Sequence, residues 1–347
     1  MAEMAINHPR IVATGTATPS RAFTQEEVLR LVGYTQPAAR KIFLNSEVDT
    51  RYFFIEPGSN VPHETLDELQ QRYRRGAVEL ARQAGEQCLQ RAGCAPQEVD
   101  CILVCSCTGY LCPDLATILV KEMGLSRRIQ RGALLGHGCA GALPGLQRAY
   151  DHACAYPEHR ILLIAVEICS ATYFVDDTLE TMVANAICAD GAAACLLTCQ
   201  ADAGPRITGF ASVLDPEYQD LVGFGHRDGR LRVILAAEIR DLAPSIVDRV
   251  LDDLLSPRGF ERGQIRYWMM HPGGRKVIDR VQASLGLTDQ DVAVSRQVLR
   301  NYGNMSSPTV LFVLGEVLKK QAAQAGDLGV LLALGPGFAA EAAMVEW

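Results

Sequence analysis

The segment Leu134-Leu135-Gly136-His137-Gly138-Cys139-Ala140-Gly141 sets a cysteine among small residues, directly ahead of an apolar helical pattern that runs toward Tyr150. A thiol at the start of a helix meets the positive end of the macrodipole and unpaired N–H groups, which favour the thiolate that attacks thioesters. Flanking glycines admit a substrate to close range. Taken alone, one cysteine of twelve at a glycine-rich turn reads first as a buried structural thiol, so its partners must decide. His137 is not one of them: side chains two residues apart diverge on either regular element, and it reads as a packed loop histidine. His271 ends an apolar run, Tyr267-Trp268-Met269-Met270, and is followed by Pro272-Gly273-Gly274, which places an imidazole at the C-terminal edge of a strand, where α/β sites lie. Asn304, in Asn301-Tyr302-Gly303-Asn304-Met305, precedes a helix starting near Ser307 and brings a carboxamide to the same edge; alone it reads equally as a cap. As a set, amide and imidazole donors hold a thioester carbonyl while it becomes an enolate, and the imidazole also stabilises a nearby thiolate. Decarboxylation of a malonyl thioester requires that electron sink and neither a metal nor an organic cofactor.

Short Val/Ile/Leu-rich runs alternate with longer amphipathic stretches, the pattern of mixed α/β layers. Buried strands are expected over 100–107, 160–167, 192–198, 267–271 and 329–334. Helices are expected over 64–92, 243–255 and 307–320; the first carries Leu66, Leu69, Tyr73, Ala77, Leu80, Ala84 and Cys88 on one face and ends at Gly93. The polar stretch 200–205 divides the chain into halves 1–201, with the cysteine, and 202–347, with the histidine and asparagine. Comparable strand–helix alternation in both is compatible with a pseudo-duplicated architecture.

With 347 residues and 48% hydrophobic content, the chain is long and apolar enough to bury a large core or two fused ones. A formal charge of −7 argues against nucleic acid as a partner. The opening residues 1–12 hold no continuous apolar region of a secretory signal, and no run reaches the roughly 18 apolar residues of a membrane span. A cytoplasmic location follows, with the cysteines mostly buried and reduced. Cys101, Cys105 and Cys107 lack a second metal-binding knuckle, so no metal site is expected. No glycine-rich nucleotide fingerprint follows a strand.

The motifs Cys107-Thr108-Gly109, Gly138-Cys139-Ala140-Gly141, Asp190-Gly191-Ala192-Ala193, His271-Pro272-Gly273-Gly274, Tyr302-Gly303-Asn304-Met305-Ser306-Ser307-Pro308 and Gly335-Pro336-Gly337-Phe338 occur in this order. With them the chain resembles the type III polyketide synthases, the chalcone-synthase-like branch of the thiolase fold, over nearly its whole length. The resemblance implies a five-layered αβαβα homodimer in which Cys139 is the nucleophile and His271 and Asn304 are its partners. It implies an acyl-CoA starter and malonyl-CoA as substrates, with no cofactor. Lys41 falls where the family grips the CoA phosphates, with Arg40 beside it; both read equally as solvated helix charges. Cys107, Thr108, Cys169, Thr172 and Ser306 match cavity positions, and Cys112 matches a residue passed across the dimer interface.

Two departures stand out. Cys188 and Val233 fall where the family usually has phenylalanines that orient the malonyl carboxylate, leaving less bulk and a wider mouth. The C-terminal pattern, including Glu346-Trp347, looks more like bacterial members than plant chalcone synthases, and the segments 41–46 and 169–173 are similar to bacterial enzymes that make alkylresorcinols, alkylpyrones or dihydroxyphenylacetyl-CoA. The expected activity is iterative condensation followed by cyclisation to a resorcinol, pyrone or related aromatic. The alternatives are a single-condensation enzyme joining two acyl chains and, from another class, a catalytically silent partner or ligand-binding subunit, against which the intact cysteine, histidine and asparagine set counts.

Overall fold

A computed structural model describes residues 8–347; residues 1–7 of the opening segment lie outside the described residues. In chain order the strands are β1 (Arg10–Ala17), β2 (Ala22–Thr24), β3 (Thr50–Tyr52), β4 (Cys101–Cys105), β5 (Gln130–Leu134), β6 (Ile161–Ile168), β7 (Asp190–Thr198), β8 (Arg206–Leu214), β9 (Val222–Arg227), β10 (Arg230–Leu235), β11 (Ile265–Met270), β12 (Leu328–Gly335) and β13 (Ala339–Glu346). The helices are α1 (Gln25–Val32), α2 (Pro37–Leu44), α3 (Leu66–Ala92), α4 (Leu115–Glu122), α5 (Ala142–Ala155), α6 (Leu179–Ile187), α7 (Ile239–Leu255), α8 (Arg275–Leu285), α9 (Asp289–Tyr302) and α10 (Thr309–Lys319). All five expected strands form, as β4, β6, β7, β11 and β12, and the three expected helices form as α3, α7 and α10, with ends displaced by a few residues.

Nine strands join in the order β11-β12-β13-β8-β1-β7-β6-β4-β5. On one side β1 pairs antiparallel with β7, β7 antiparallel with β6, and β6 parallel with β4. On the other side β8 pairs antiparallel with β13, β13 antiparallel with β12, and β12 parallel with β11. The same pairing scheme is therefore used twice, and among the described residues strand pairing between the two sheets is confined to Arg10 and Arg206. The polar stretch 200–205 is the link between β7 and β8.

Alternation along the strands sorts the side chains into layers. Ile161, Leu163 and Ala165 of β6 pack with α5 and α10, whereas Leu162, Ile164 and Val166 pack with α3 and α4. In the second sheet Leu331 and Ala333 of β12 face α5 and α10, while Val330 and Leu332 face α7. The stack is thus α3/α4, first sheet, α5/α10, second sheet, α7: the αβαβα fold. With both faces covered, β6 and β7 are buried along their whole length and read as unbroken apolar runs.

Local signals fix the outer layer. Thr65 and Glu68 form a reciprocal cap at the start of α3, and Gly93 ends it in the left-handed conformation. Leu66 departs from the expected buried face: it is half exposed in the first turn, where it meets the β9–β10 hairpin at Gly229.

The seating of α3 on β1 decides the sign of one substitution. Replacing Gly by Ala inside a regular element ordinarily stabilises by roughly 0.5–1 kcal/mol. A Cβ at Gly15, however, would stand 2.1 Å from the Ala84 carbonyl oxygen and 2.6 Å from the Cys88 nitrogen. Gly15→Ala is therefore expected to destabilise by roughly 1–3 kcal/mol. The urea midpoint should fall with the slope unchanged; an equal or higher midpoint would contradict this packing.

Candidate active site

Cys139 sits in a single 3-10 turn, Gly138–Ala140, that leads into α5. The turn is held from the other half of the chain: a Cβ on Gly138 would lie 2.5 Å from the Pro336 ring. This explains two of the glycine-rich motifs at once, since only a residue without a side chain lets the loop after β12 close on the nucleophile. The thiol keeps partial access, while His137 is exposed and lies outside the site.

Asn304 lies between α9 and α10, and the N-termini of the two central helices meet where a Cβ on Gly141 would lie 3.6 Å from Ser307 Cβ. The Ser306 backbone N–H donates to Asn304 Oδ1 at 2.8 Å, which turns Nδ2 toward the site and toward the Gly273 carbonyl, 3.5 Å away. Ser306 itself adopts a left-handed conformation (φ 59°), strain of the kind that collects at functional positions. The side chains of Ser306 and Asn304 both act to lower the pKa of the Cys139 thiol.

His271 follows β11 directly, its backbone N–H donating to the Leu332 carbonyl at 2.7 Å. Both ring nitrogens are buried without a hydrogen-bond partner among the described residues. Burial pushes the imidazole down to about 4. Burial likewise pushes the Cys139 thiol up to about 12, opposed by Ser306 and Asn304 and reinforced by Cys188 and Glu167. In isolation each group is therefore neutral at pH 7.

Glu167, at the C-terminal end of β6, was not singled out by the sequence. Its buried carboxylate accepts from the backbone N–H groups of Cys107 and Thr108 at 2.9 and 3.1 Å, from Thr108 Oγ1 at 2.8 Å and from Ser307 Oγ at 2.7 Å. Burial raises its pKa against these bonds. Cys107 Sγ lies 3.2 Å from Glu167 Oε1 and 3.6 Å from Ser306 Oγ, so this carboxylate ties the Cys107-Thr108 loop to the Asn304 loop. The available signal was a charged residue at the end of an otherwise apolar strand.

The thiols of Cys169 and Cys188 influence each other, the interaction lowering the pKa of Cys188 and raising that of Cys169. Thr172 is buried and donates to the Cys169 carbonyl at 2.9 Å. Val233 lies on β10 opposite Phe224 of β9. Antiparallel partners share a face, so an aromatic ring accompanies Val233 on the neighbouring strand.

A cavity of about 940 Å³ adjoins this region through Gly273; Cys139, His271 and Asn304 do not themselves line it. Its wall includes Gly273, the residue whose carbonyl meets Asn304 Nδ2 and whose Cβ would lie 3.6 Å from the His271 ring. Ala186 and Ile187, just before Cys188, and Leu235, on the same face of β10 as Val233, also line it. Lys41 reaches the cavity, but Arg40 does not line it, being paired with Glu26 at 2.8 Å on the surface. Three further cations at the rim, Arg240, Arg275 and Lys276, were missed; the last two follow the His-Pro-Gly-Gly motif directly. They open α8, whose first N–H groups receive no side-chain cap. Cys112 is exposed.

Residues 1–201 match the family model for chalcone and stilbene synthases, N-terminal domain, and residues 216–346 match the model for the C-terminal domain. The chain is 34% identical to a 3,5-dihydroxyphenylacetyl-CoA synthase of Streptomyces toyocaensis, over 98% of this chain and 90% of that protein. It is 30% identical to a 1,3,6,8-tetrahydroxynaphthalene synthase of Streptomyces peucetius subsp. caesius, over 97% of this chain and 93% of that protein. Among solved structures it resembles PKS-I of the brown alga Ectocarpus siliculosus, with a TM-score of 0.89, 27% identity and 98% of both chains covered. The 1,3,6,8-tetrahydroxynaphthalene synthase of Streptomyces coelicolor gives a TM-score of 0.89 at 26% identity, covering 97% of this chain and 99% of that one.

The electrostatics give a directional expectation. A positive charge on His271 would favour the Cys139 thiolate; without it, burial acts unopposed and the thiol pKa rises. His271→Gln should move the pH profile of Cys139 alkylation by iodoacetamide upward by about one unit or more, with a slower rate at pH 7. An unchanged profile would show that the imidazole does not share the sulfur's proton.

Proposed function

Because the chain belongs to the chalcone and stilbene synthase family and is a type III polyketide synthase, an acyltransferase, we propose that Cys139 takes an acyl group from an acyl-CoA starter and extends it with malonyl-CoA. The thiolate attacks the starter's carbonyl carbon, the bond to the CoA sulfur breaks, and the departing thiolate takes up a proton. Malonyl-CoA then loses CO2, and the electron pair moves onto its thioester carbonyl as an enolate. One ring N–H of His271 and the Nδ2 group of Asn304 donate to that oxygen. The enolate carbon attacks the Cys139 thioester and releases the thiolate, and repeated rounds precede cyclisation to an aromatic product. No metal or organic cofactor takes part in this sequence. The observation that carries the reading is that one cavity wall, at Gly273, adjoins both the imidazole and the amide.

Lys41, Arg240, Arg275 and Lys276, with the uncapped start of α8, give the rim a charge suited to the CoA phosphates. Cys107, Thr108, Cys169, Thr172, Cys188, Val233 and Ser306 are assigned to the inner surface that shapes the growing chain. The alternative of a single condensation draws on the small side chain of Cys188. Phe224 beside Val233 favours an enclosed chamber and repeated extension.

A second copy of the chain is proposed to cover β5, an edge strand with exposed residues, flanked by Tyr110 at 66% and Leu135 at 50% exposure. The exposed Cys112 lies in the same region, placed to enter the neighbouring subunit's cavity. A cytoplasmic location suits reduced thiols, and no helix among the described residues is long and apolar enough to cross a membrane.

The decisive experiment combines malonyl-CoA with a panel of acyl-CoA starters and reads products by mass spectrometry. Several malonyl-derived units per product are expected, with a trapped acyl adduct on Cys139. Cys139→Ala should abolish turnover, on the order of a thousandfold or more; unchanged malonyl-CoA consumption would refute the assignment. Cys188→Phe should shift use toward smaller starters, and an unaltered starter profile would remove Cys188 from the cavity. Sedimentation should give twice the monomer mass.

A further inference from the structure

Arg51 is fully buried and, among the described residues, forms no ion pair. Its guanidinium lies over Phe43 and Phe53, with centroids 5.6 and 5.3 Å away. A buried cation without a carboxylate is costly, so its hydrogen bonds must accomplish something. They converge on one place: Nη1 donates to the Asn185 and Cys188 carbonyls at 2.7 and 2.8 Å, and Nη2 donates to Gln25 Oε1 at 2.6 Å. Gln25 in turn donates to the Ala186 carbonyl at 2.7 Å and to Ser46 Oγ at 2.6 Å, and Ser46 lines the cavity.

The remaining carbonyl of this helix end, Ile187, accepts from the backbone N–H of Asn304 at 2.8 Å, and the Ala189 N–H donates back to the Asn304 carbonyl at 2.9 Å. The last four carbonyls around the end of α6, normally left without helical partners, are thus divided among Arg51, Gln25 and Asn304. At Gly303 (φ 73°) a Cβ would lie 2.8 Å from the Ile187 carbonyl oxygen and 3.3 Å from Arg51 Cβ, so the Asn304 loop is pressed onto this seat.

We propose that Arg51, seated by Gln25, is a positioning residue for Asn304: by fixing the carbonyls at the end of α6 it fixes the strand-like bridge from which the catalytic amide hangs. The proposal rests on the reading of Asn304 as an enolate donor. It predicts unequal losses in the two half-reactions, because acylation needs the thiolate, to which Asn304 is the smallest of the contributors named above, whereas decarboxylation needs the amide at its proper distance. A displacement of about 1 Å costs up to a hundredfold.

The test measures Cys139 acylation by an acyl-CoA, from intact mass, and CO2 release from malonyl-CoA, in Asn304→Ala, Arg51→Lys and Gln25→Ala, with thermal melts as folding controls. Asn304→Ala sets the scale; if it leaves CO2 release unchanged, the functional reading itself fails. Given a loss there, Arg51→Lys is expected to lower CO2 release about tenfold to a hundredfold with acylation within about twofold. Gln25→Ala should do the same to a smaller degree. Parallel losses of both half-reactions, or undiminished CO2 release in a folded variant, overturn the proposal. If Arg51→Lys does not fold, the ratio in Gln25→Ala decides, and an unchanged ratio overturns it.

Discussion

The site depends on the sharing of one helical layer by two sheets. Each sheet must cover an apolar face, and α5 and α10 are buried between them, as Leu143 and Leu146 on one helix and Leu311 and Leu314 on the other illustrate. Because the two helices enter this layer with their N-termini together, at Gly141 and Ser307, the segments before them meet as well. One segment holds Cys139 and the other holds Asn304. Burial of apolar surface, which has no direction of its own, thereby brings together two polar groups 165 positions apart in the chain.

The same burial sets the electrostatic character of the site. A dry pocket strengthens each hydrogen bond that is made and penalises each charge that is not compensated. Glu167 illustrates compensation, since its carboxylate gathers donors from the Cys107-Thr108 loop and from Ser307. His271 illustrates the opposite case, with both nitrogens buried and unpaired. Groups left so beside a cavity are available to a developing oxyanion without having to break existing bonds, which is electrostatic preorganisation. Asn304 combines the two, its oxygen committed to the Ser306 N–H and its Nδ2 group turned to the site.

Sequence pattern revealed some parts of this arrangement and concealed others for physical reasons. The β6 and β12 runs were legible because strands covered on both faces are continuously apolar. The candidate residues Cys139, His271 and Asn304 were legible because glycine, proline and small residues must surround points where backbones approach closely. β13, Ala339–Glu346, was not: its alanines carry a strong helical preference, and only pairing between β12 and β8 makes it a strand. Glu167 and Arg51 were concealed because a single charge has no periodicity, and its partners lie dozens of positions away. The rim cations were missed for the complementary reason, since Arg275 and Lys276 look like ordinary solvated charges at a helix start until the cavity beside them is seen.

Dividing the machinery between halves has a cost in precision that the outer elements offset. Cys139 belongs to the first half, and His271 and Asn304 belong to the second, so any sliding between the sheets would change the distance between sulfur and amide. Direct pairing between the sheets is confined to Arg10 and Arg206, too little to fix that distance. The restraints lie nearer the chemistry: Pro336 from the second half is pressed on Gly138, Ser307 is bonded to Glu167 of the first, and the Asn304 backbone is paired with the end of α6. Each crosses the boundary between halves within a few residues of a reacting group. The fold supplies a rough meeting of two helix ends, and these short cross-links convert it into a site.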